Sequence, residues 1–413
     1  MEQYLKRIVA KNILSFGNEG VDLELHPLNV FIGTNGSGKS NLIEIINLLR
    51  SLPSDFATYI RTSGGIGDVL WRGSKDNMAL IDVTLSPLHR DYTSLIPIHH
   101  KLTFGSSGLS YEITDEIIEN TEKTTSSFDD VQYFYRFNNG NPVLSSFERD
   151  DDDNSIREQM WTKKRKLRFF NKDEGLDIRQ SILSQRKDPA FYPELSYLNS
   201  IYNDIKIYKE WSFGNSSLLR KPQKTDLPED FLLETGENIG LVLNDIEHQI
   251  RGRAKIQECM KKLFEDYEDY SVKIHAGTIQ VCLKEKGLLS PVPANRLSDG
   301  TLRYLNLLAI LCHPKPPKVV CIEEPELGLH PDMIGQIAQL VIEASERTQL
   351  FITTHSDIFI DALSGHSESV FIVDKENGET KIHQEKPEQI AKWIENYSLG
   401  QLWRKGEIGG NRW

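Results

Sequence analysis

Gly33-Thr34-Asn35-Gly36-Ser37-Gly38-Lys39-Ser40 is the stretch that decides how this chain is read. It fits GxxxxGK[ST] in full. Val30, Phe31 and Ile32 end a short apolar run just before it, and Leu42, Ile43, Ile45, Ile46, Leu48 and Leu49 recur after it at helical spacing. Strand, glycine-rich turn and helix in that order form the context in which this pattern holds phosphate. The glycines let backbone N–H groups turn inward around a β-phosphate, and the helix N-terminus adds the positive end of its dipole. Lys39 then neutralises phosphate charge, and the Ser40 hydroxyl can ligate Mg2+.

Three segments far downstream answer to this loop. Val319-Val320-Cys321-Ile322 is an apolar strand that ends in Glu323-Glu324. Alone, such a pair reads as a solvated strand end. In a chain that also carries a phosphate loop, it stands where a metal-organising and a water-activating carboxylate are needed, because phosphoryl transfer to water uses both. Successive side chains at a strand end point in different directions, so Glu323 can face Mg2+ while Glu324 faces the attacking water. Leu350 to Thr353 is another short strand, and the helix-like stretch Met333 to Ala344, with Pro331 suited to its first turn, lies between the two. This is a parallel α/β unit. His355 follows in the segment TTHSD, where an imidazole can hydrogen-bond a phosphate oxygen; a single histidine there would otherwise be an ordinary loop residue. Leu297-Ser298-Asp299-Gly300-Thr301 precedes an apolar helix, Leu302 to Leu311, with Ser298 as its cap and Gly300 allowing close backbone approach.

Composition bounds the rest. The 413 residues amount to roughly three domains' worth of chain at ~150 residues each. With 38% hydrophobic and 26% charged residues the chain is too apolar to be disordered. A net charge of −12 excludes a protein that coats nucleic acid with its whole surface. Cys259, Cys282, Cys312 and Cys321 have no metal-ligand spacing and read as reduced structural thiols. No apolar leader is visible at the N-terminus, and no run reaches the ~18 apolar residues of a membrane span, so a cytoplasmic protein without a membrane partner is expected.

The middle of the chain changes character. Residues 101–150 carry 4 basic and 9 acidic side chains, ending in the run Asp150 to Asp153, whereas residues 161–187 carry 9 basic and 3 acidic. Within the second stretch, Trp161-Thr162-Lys163-Lys164-Arg165-Lys166-Leu167-Arg168-Phe169-Phe170 mixes cations with aromatics, a composition suited to phosphate contact and base stacking as well as to a solvated face. Tyr197 to Trp211 and Asn238 to Phe264 have helical periodicity, and Ser271 to Leu283 alternates like a hairpin strand.

The order of the four segments is that of the Walker A, signature, Walker B with D-loop, and switch-histidine motifs. In this the sequence resembles ABC-type ATPases of the RecF, SMC and OLD-like branch, and looks like stand-alone bacterial AAA-family ATPases of the AAA_21 type. The resemblance covers about residues 1–110 and 270–413. It implies an α/β fold: an ABC-type head with a phosphate-loop core of parallel strands and an antiparallel N-terminal lobe, interrupted by a largely helical insert. The expected divisions are 1–110, the insert 111–270, and 271–413. It also implies ATP and Mg2+, with Lys39, Glu324 and His355 catalytic, Ser40 and Glu323 on the metal, and Gly33 to Ser40 with Asn41 on the nucleotide. Lys11-Asn12 and Ser15-Phe16 match wording that lies near the nucleotide in this branch. Ser298 and Gly300 would cap the ATP of a second subunit, making a homodimer or higher oligomer with composite sites.

Two departures stand out. Glu323 replaces the usual Asp at the Walker B end, which implies a longer or water-mediated metal contact. LSDGT replaces LSGGQ, placing Asp299 near a partner's γ-phosphate. Gly64 to Gly73, GGIGDVLWRG, is a candidate for the Gln-loop. Only 58 residues follow His355, too few for the TOPRIM nuclease domain of OLD-type proteins, so an effector nuclease would act in trans. Trp403-Arg404-Lys405 and Arg412-Trp413 pair aromatics with cations as a docking tail would, although a frayed terminus is the default reading. The expected function is an ATPase that couples nucleotide-driven dimerisation to a DNA or protein partner, as the sensor or scaffold of an anti-phage defence system. The alternative is a RecF-like DNA-repair ATPase without an effector. The long insert disfavours a transporter subunit, and the intact Lys39, Ser40, Glu324 and His355 disfavour a vestigial site.

Overall fold

The computed structural model describes residues 3–73, 76–88, 96–108, 110–122, 132–138, 141–147, 165–169, 176–211, 214–385, 393 and 397–409. Its centre is a six-stranded sheet in the spatial order Ile205–Tyr208, Val319–Glu323, Gln349–Thr354, Leu28–Ile32, Val370–Glu376 and Glu379–His383. The first five strands are parallel and the last is antiparallel to its neighbour. Parallel strands are covered on both faces and read as unbroken apolar runs, which is why LNVFI and VVCI carry no polar alternation. The period of two is still visible in the packing. Phe31, Cys321, Phe351 and Phe371 enter one core, while Val30, Ile32, Ile322 and Ile352 enter the other.

The first core is closed by the helix Lys39–Ser51 and an eight-stranded antiparallel sheet. That sheet runs Val21–Glu24, Leu5–Lys11, Met78–Leu85, Ile98–Ser107, Ser110–Asn120, Tyr133–Asn138, Asn141–Phe147 and Arg165–Phe169. The second core is closed by the helices Asp299–Leu311 and Pro331–Ala344. Gln349, fully buried, joins the two sheets. Its Oε1 accepts from the N–H groups of Tyr4 and Leu5 (3.1 and 2.8 Å), and its Nε2 donates to the carbonyls of Leu5 and His26 (2.7 and 3.0 Å). Gln349→Leu keeps the volume and strands those backbone groups, so a loss of about 2–4 kcal/mol is expected in urea unfolding of the full chain.

Several expectations meet a different structure. The stretch 111–270, expected to be largely helical, is mixed: strands from Ser110 to Phe169 extend the antiparallel sheet, and Ile205–Tyr208 joins the core sheet itself. Tyr197 to Trp211 is not one helix. The helix Pro193–Tyr202 stops at Asn203-Asp204, and Ile205, Ile207 and Tyr208 are then buried on a strand parallel to Val319–Glu323. A four-residue segment with three apolar positions, IKIY, fits either period, and the vacant edge of the sheet decides it. Helices Ile239–Glu247 and Ile250–Leu263 occupy the second helical stretch, and Tyr267–His275 with Thr278–Glu285 forms the hairpin.

Of the basic run, Arg165–Phe169 is the edge strand of the antiparallel sheet; residues 161–164 and 170, and the acidic run 150–153, lie outside the described residues. Trp403 is not an exposed docking aromatic. It is 7% exposed, held on the helix Leu399–Lys405 within the second core, and Arg412-Trp413 lies outside the described residues. The four cysteines are buried and free. Among the described residues, no helix is long and apolar enough to cross a membrane.

Candidate functional site

The phosphate loop leaves the C-terminal end of Leu28–Ile32, the strand flanked by Gln349–Thr354 and Val370–Glu376. Gly38 caps the following helix with φ 106°, and a Cβ there would lie 1.9 Å from Thr380 Oγ1. Only glycine satisfies both conditions. The crowding comes from a hydroxyl chain that props the loop from behind. Thr380 Oγ1 donates to the carbonyl of Ser37 (2.8 Å), so the Ser15 hydroxyl, 2.7 Å away, must donate to Thr380. Ser15 in turn accepts from Asn41 Nδ2 at 2.6 Å. Of the N-terminal candidates, therefore, Ser15 is bonded to the loop segment. Lys11 ends the strand Leu5–Lys11, and Asn12, at φ 54°, donates its N–H to Gly17 and gives its carbonyl to the N–H of Trp71. Asn41 is committed to Ser15, and Phe16 is core. The Gly64 to Gly73 segment packs on this same turn, with Val69 accepting from the N–H of Leu14.

Lys39 is 6% exposed, and its Nζ donates to the carbonyls of Gly33 and Thr34 at 2.8 and 2.9 Å. Burial lowers the pKa of its ammonium, and Glu324, Glu326 and Glu323 oppose that shift. Asn35 and Gly36 are exposed at the tip of the loop. The Ser40 hydroxyl donates to Glu323 Oε2 at 2.7 Å, joining the first helix to the end of Val319–Glu323 across 283 residues of sequence. The extra methylene of Glu323 therefore carries its carboxylate up to Ser40. Burial raises the pKa of that carboxyl, and the Ser40 bond partly offsets it.

Glu324 leaves the strand at φ 45°, a left-handed conformation uncommon outside glycine, with its N–H bonded to the Thr353 carbonyl at 2.9 Å. Its Oε1 lies 3.4 Å from His355 Nδ1. Sequence reasoning missed Glu326. Its carboxylate is buried, accepts from Thr354 Oγ1 (2.6 Å) and the His355 N–H (3.1 Å), and lies 3.8 Å from His355 Nδ1. Its signal was available in EEPELGLHP, where a third glutamate two places on from the pair falls inside a turn.

Ser298 caps the helix Asp299–Leu311, accepting from the N–H of Thr301 at 3.0 Å, and is exposed. Gly300 lies against the carbonyl of Gly328, so the signature turn and the D-loop touch within one chain. Asp299 does not carry a free charge. Arg220 pairs with it at 2.6 Å and holds its carboxyl below the usual range, and the N–H of Gly214 donates to its other oxygen at 3.0 Å. Two further residues without a sequence signal complete the surroundings. Trp211 Nε1 donates to the carbonyl of Glu323 at 3.0 Å, and Arg303 Nη2 donates to the carbonyl of Glu324.

Chemically, the arrangement offers a glycine cradle at a helix N-terminus, an ammonium, a hydroxyl–carboxylate pair of hard oxygen donors, and a carboxylate beside an imidazole. Ser40 and Glu323 fit Mg2+, which takes one or two protein oxygens and fills its octahedron with phosphate and water.

No curated protein matches the chain. Among solved structures, the SmcHead bound to the C-winged helix domain of ScpA is 13% identical, over 94% of this chain and 99% of that one, with a TM-score of 0.52. This is a likeness of fold. A Smc head domain with an extended coiled coil, bound to the C-terminal domain of ScpA and derived from Pyrococcus furiosus, is 12% identical over 95% and 98% of the two chains, with a TM-score of 0.49. The family model described as "AAA domain, putative AbiEii toxin, Type IV TA system" matches residues 28–361, from the phosphate-loop strand through both glutamates to His355 and beyond. The chain thus belongs to this AAA_21 family of AAA ATPases, and its fold is that of an ABC-type, SMC-like head.

Proposed function

We propose that the protein hydrolyses ATP at sites shared between two copies, and that closing and opening of the pair drives a partner. The observation that carries the reading is the meeting of Ser40 with Glu323 and of Glu324 with His355 at the ends of neighbouring strands. The loop N–H groups and Lys39 take the β- and γ-phosphates. Bound Mg2+ would neutralise charge developing on the phosphate oxygens. Glu324 accepts a proton from the attacking water, and His355 orients the γ-phosphate from the facing side. The exposed Ser298, at the N-terminus of a 13-residue helix, presents a donor and a positive dipole end to the ATP of a second copy. Because Arg220 already pairs with Asp299, the LSDGT wording does not set a bare carboxylate against that phosphate.

The partner is an effector protein, a nuclease acting in trans within an anti-phage defence system. The family description, "putative AbiEii toxin, Type IV TA system", supports the defence setting of this reading, not the nuclease. The test joins Ser298→Arg to a hydrolysis-deficient background. Glu324→Gln is expected to form an ATP-dependent dimer in light scattering, and Ser298→Arg to abolish that dimer while ATP binding stays intact. A monomer in both would sink the shared-site reading. A RecF-like role draws support from Arg165–Phe169, which places part of the basic run on a sheet edge. Salt-sensitive DNA binding with DNA-stimulated hydrolysis by the isolated protein would select it.

A further inference from the structure

The paired glutamates are held by their backbone as well as by their place on the strand. Glu324 sits at φ 45°, a strained conformation for a non-glycine residue that persists only where its surroundings impose it. Three bonds do so here. The N–H of Glu324 is fixed to the Thr353 carbonyl, the Glu323 carbonyl accepts from Trp211 Nε1, and the Glu324 carbonyl accepts from Arg303 Nη2. The last two donors are themselves one unit, because the Arg303 guanidinium lies 4.2 Å from the centroid of the Trp211 ring. Arg303 is 2% exposed; burial brings its pKa down to about 10, with Glu326 and Glu324 opposing, so it is cationic at neutral pH.

Both donors also lead to the signature turn. Arg303 lies one helical turn beyond Asp299 on the helix Asp299–Leu311. Asp299 in turn binds the N–H of Gly214, three residues after Trp211. The turn that carries Ser298 is thus connected to the Glu324 carbonyl through a rigid helix, and its Asp299 also bonds Gly214, a near neighbour in sequence of Trp211. We infer that Trp211 and Arg303 are positioning residues: they set the direction of the Glu324 carboxylate and make it depend on how the signature turn is seated. The inference rests on the ATPase reading above. In a dimer with shared sites, Ser298 of one copy caps its partner's ATP while Trp211 and Arg303 of that same copy shape its own base. Capping at one site therefore governs hydrolysis at the other.

The test uses the full chain with Trp211→Phe, which keeps the ring and its stacking but removes the N–H, and Arg303→Lys, which keeps the charge but loses the fork. Steady-state ATP hydrolysis, binding of a fluorescent ATP analogue and the unfolding midpoint are measured together. A roughly tenfold fall in kcat is expected for Trp211→Phe, with nucleotide affinity within about twofold of the parent and an unchanged midpoint, together with a Hill coefficient for ATP reduced towards one. Arg303→Lys should fall further in kcat with the same split. Parental kcat in both variants would overturn the inference, as would losses of kcat, affinity and midpoint in step, which mark a packing role. If the parent chain does not hydrolyse ATP, the ATPase reading itself has failed; if Glu324→Gln hydrolyses at the parental rate, Glu324 is not the base and the positioning role falls with it; if Glu324→Gln is inactive and these two variants are not impaired, only the positioning role has failed.

Discussion

Glu324→Gln is expected to reduce ATP turnover by about a hundredfold to ten-thousandfold, the usual contribution of a general base, while leaving ATP binding intact. Glutamine preserves the length of the side chain and the left-handed backbone, so the bonds to Thr353 and Arg303 remain. What disappears is the carboxylate that takes the proton from water, together with its attraction to His355 at 3.4 Å. The measurement is single-turnover hydrolysis with ATP and Mg2+, alongside the mass of the complex in solution. Hydrolysis at the parental rate would move the base elsewhere, and the buried Glu326 would be the first place to look.

Lys39→Ala acts one step earlier. Its ammonium rests on the carbonyls of Gly33 and Thr34 within the loop, already desolvated and aimed where phosphates would sit. Hydrogen bonds to charged groups contribute about 1.5–3 kcal/mol each, so losing one of them should weaken ATP binding by about tenfold to a hundredfold. Titration of the fluorescent nucleotide should show this in Lys39→Ala and near-parental affinity in Glu324→Gln. The contrast separates holding ATP from splitting it. Equal affinity in both variants would mean that the loop holds ATP without its lysine.

Much of the head was legible because its elements carry signals of the right period. The phosphate loop punctuates a strand and a helix, VVCIEE ends a buried parallel strand, and Pro331 marks a helix start that the structure places at Pro331–Ala344. What was not legible depends on distant partners. Ile205–Tyr208 is too short to declare its period, and only its pairing with Val319–Glu323 makes it a strand. The strands between Ser110 and Phe169 were obscured by the charge pattern, which drew attention to surface chemistry instead of alternation. Trp211 and Arg303 had no motif to announce them, and Glu326, though part of EEPELGLHP, gave no sign of its partner: each acts on a backbone group or an imidazole brought near by folding. Asp299 looked like a misplaced charge because Arg220, which pairs with it, lies 79 residues away.

The parallel pairing of Leu28–Ile32 with Gln349–Thr354 has a consequence during synthesis. The strand that bears the phosphate loop is made early, but both of its neighbours lie more than 300 residues further along the chain. At about 5–20 residues per second, a growing chain would carry that fully apolar strand without a sheet for roughly 15–60 s. The antiparallel sheet and the helix Lys39–Ser51 can shelter one face of it in the interval, because their residues precede most of the second half. The other face, Val30 and Ile32, must wait for the helices Asp299–Leu311 and Pro331–Ala344, which follow far along the chain. Newly made chains should therefore lean on holding chaperones until the strand Val370–Glu376 has emerged, and premature termination before it should yield insoluble fragments instead of a half-active enzyme.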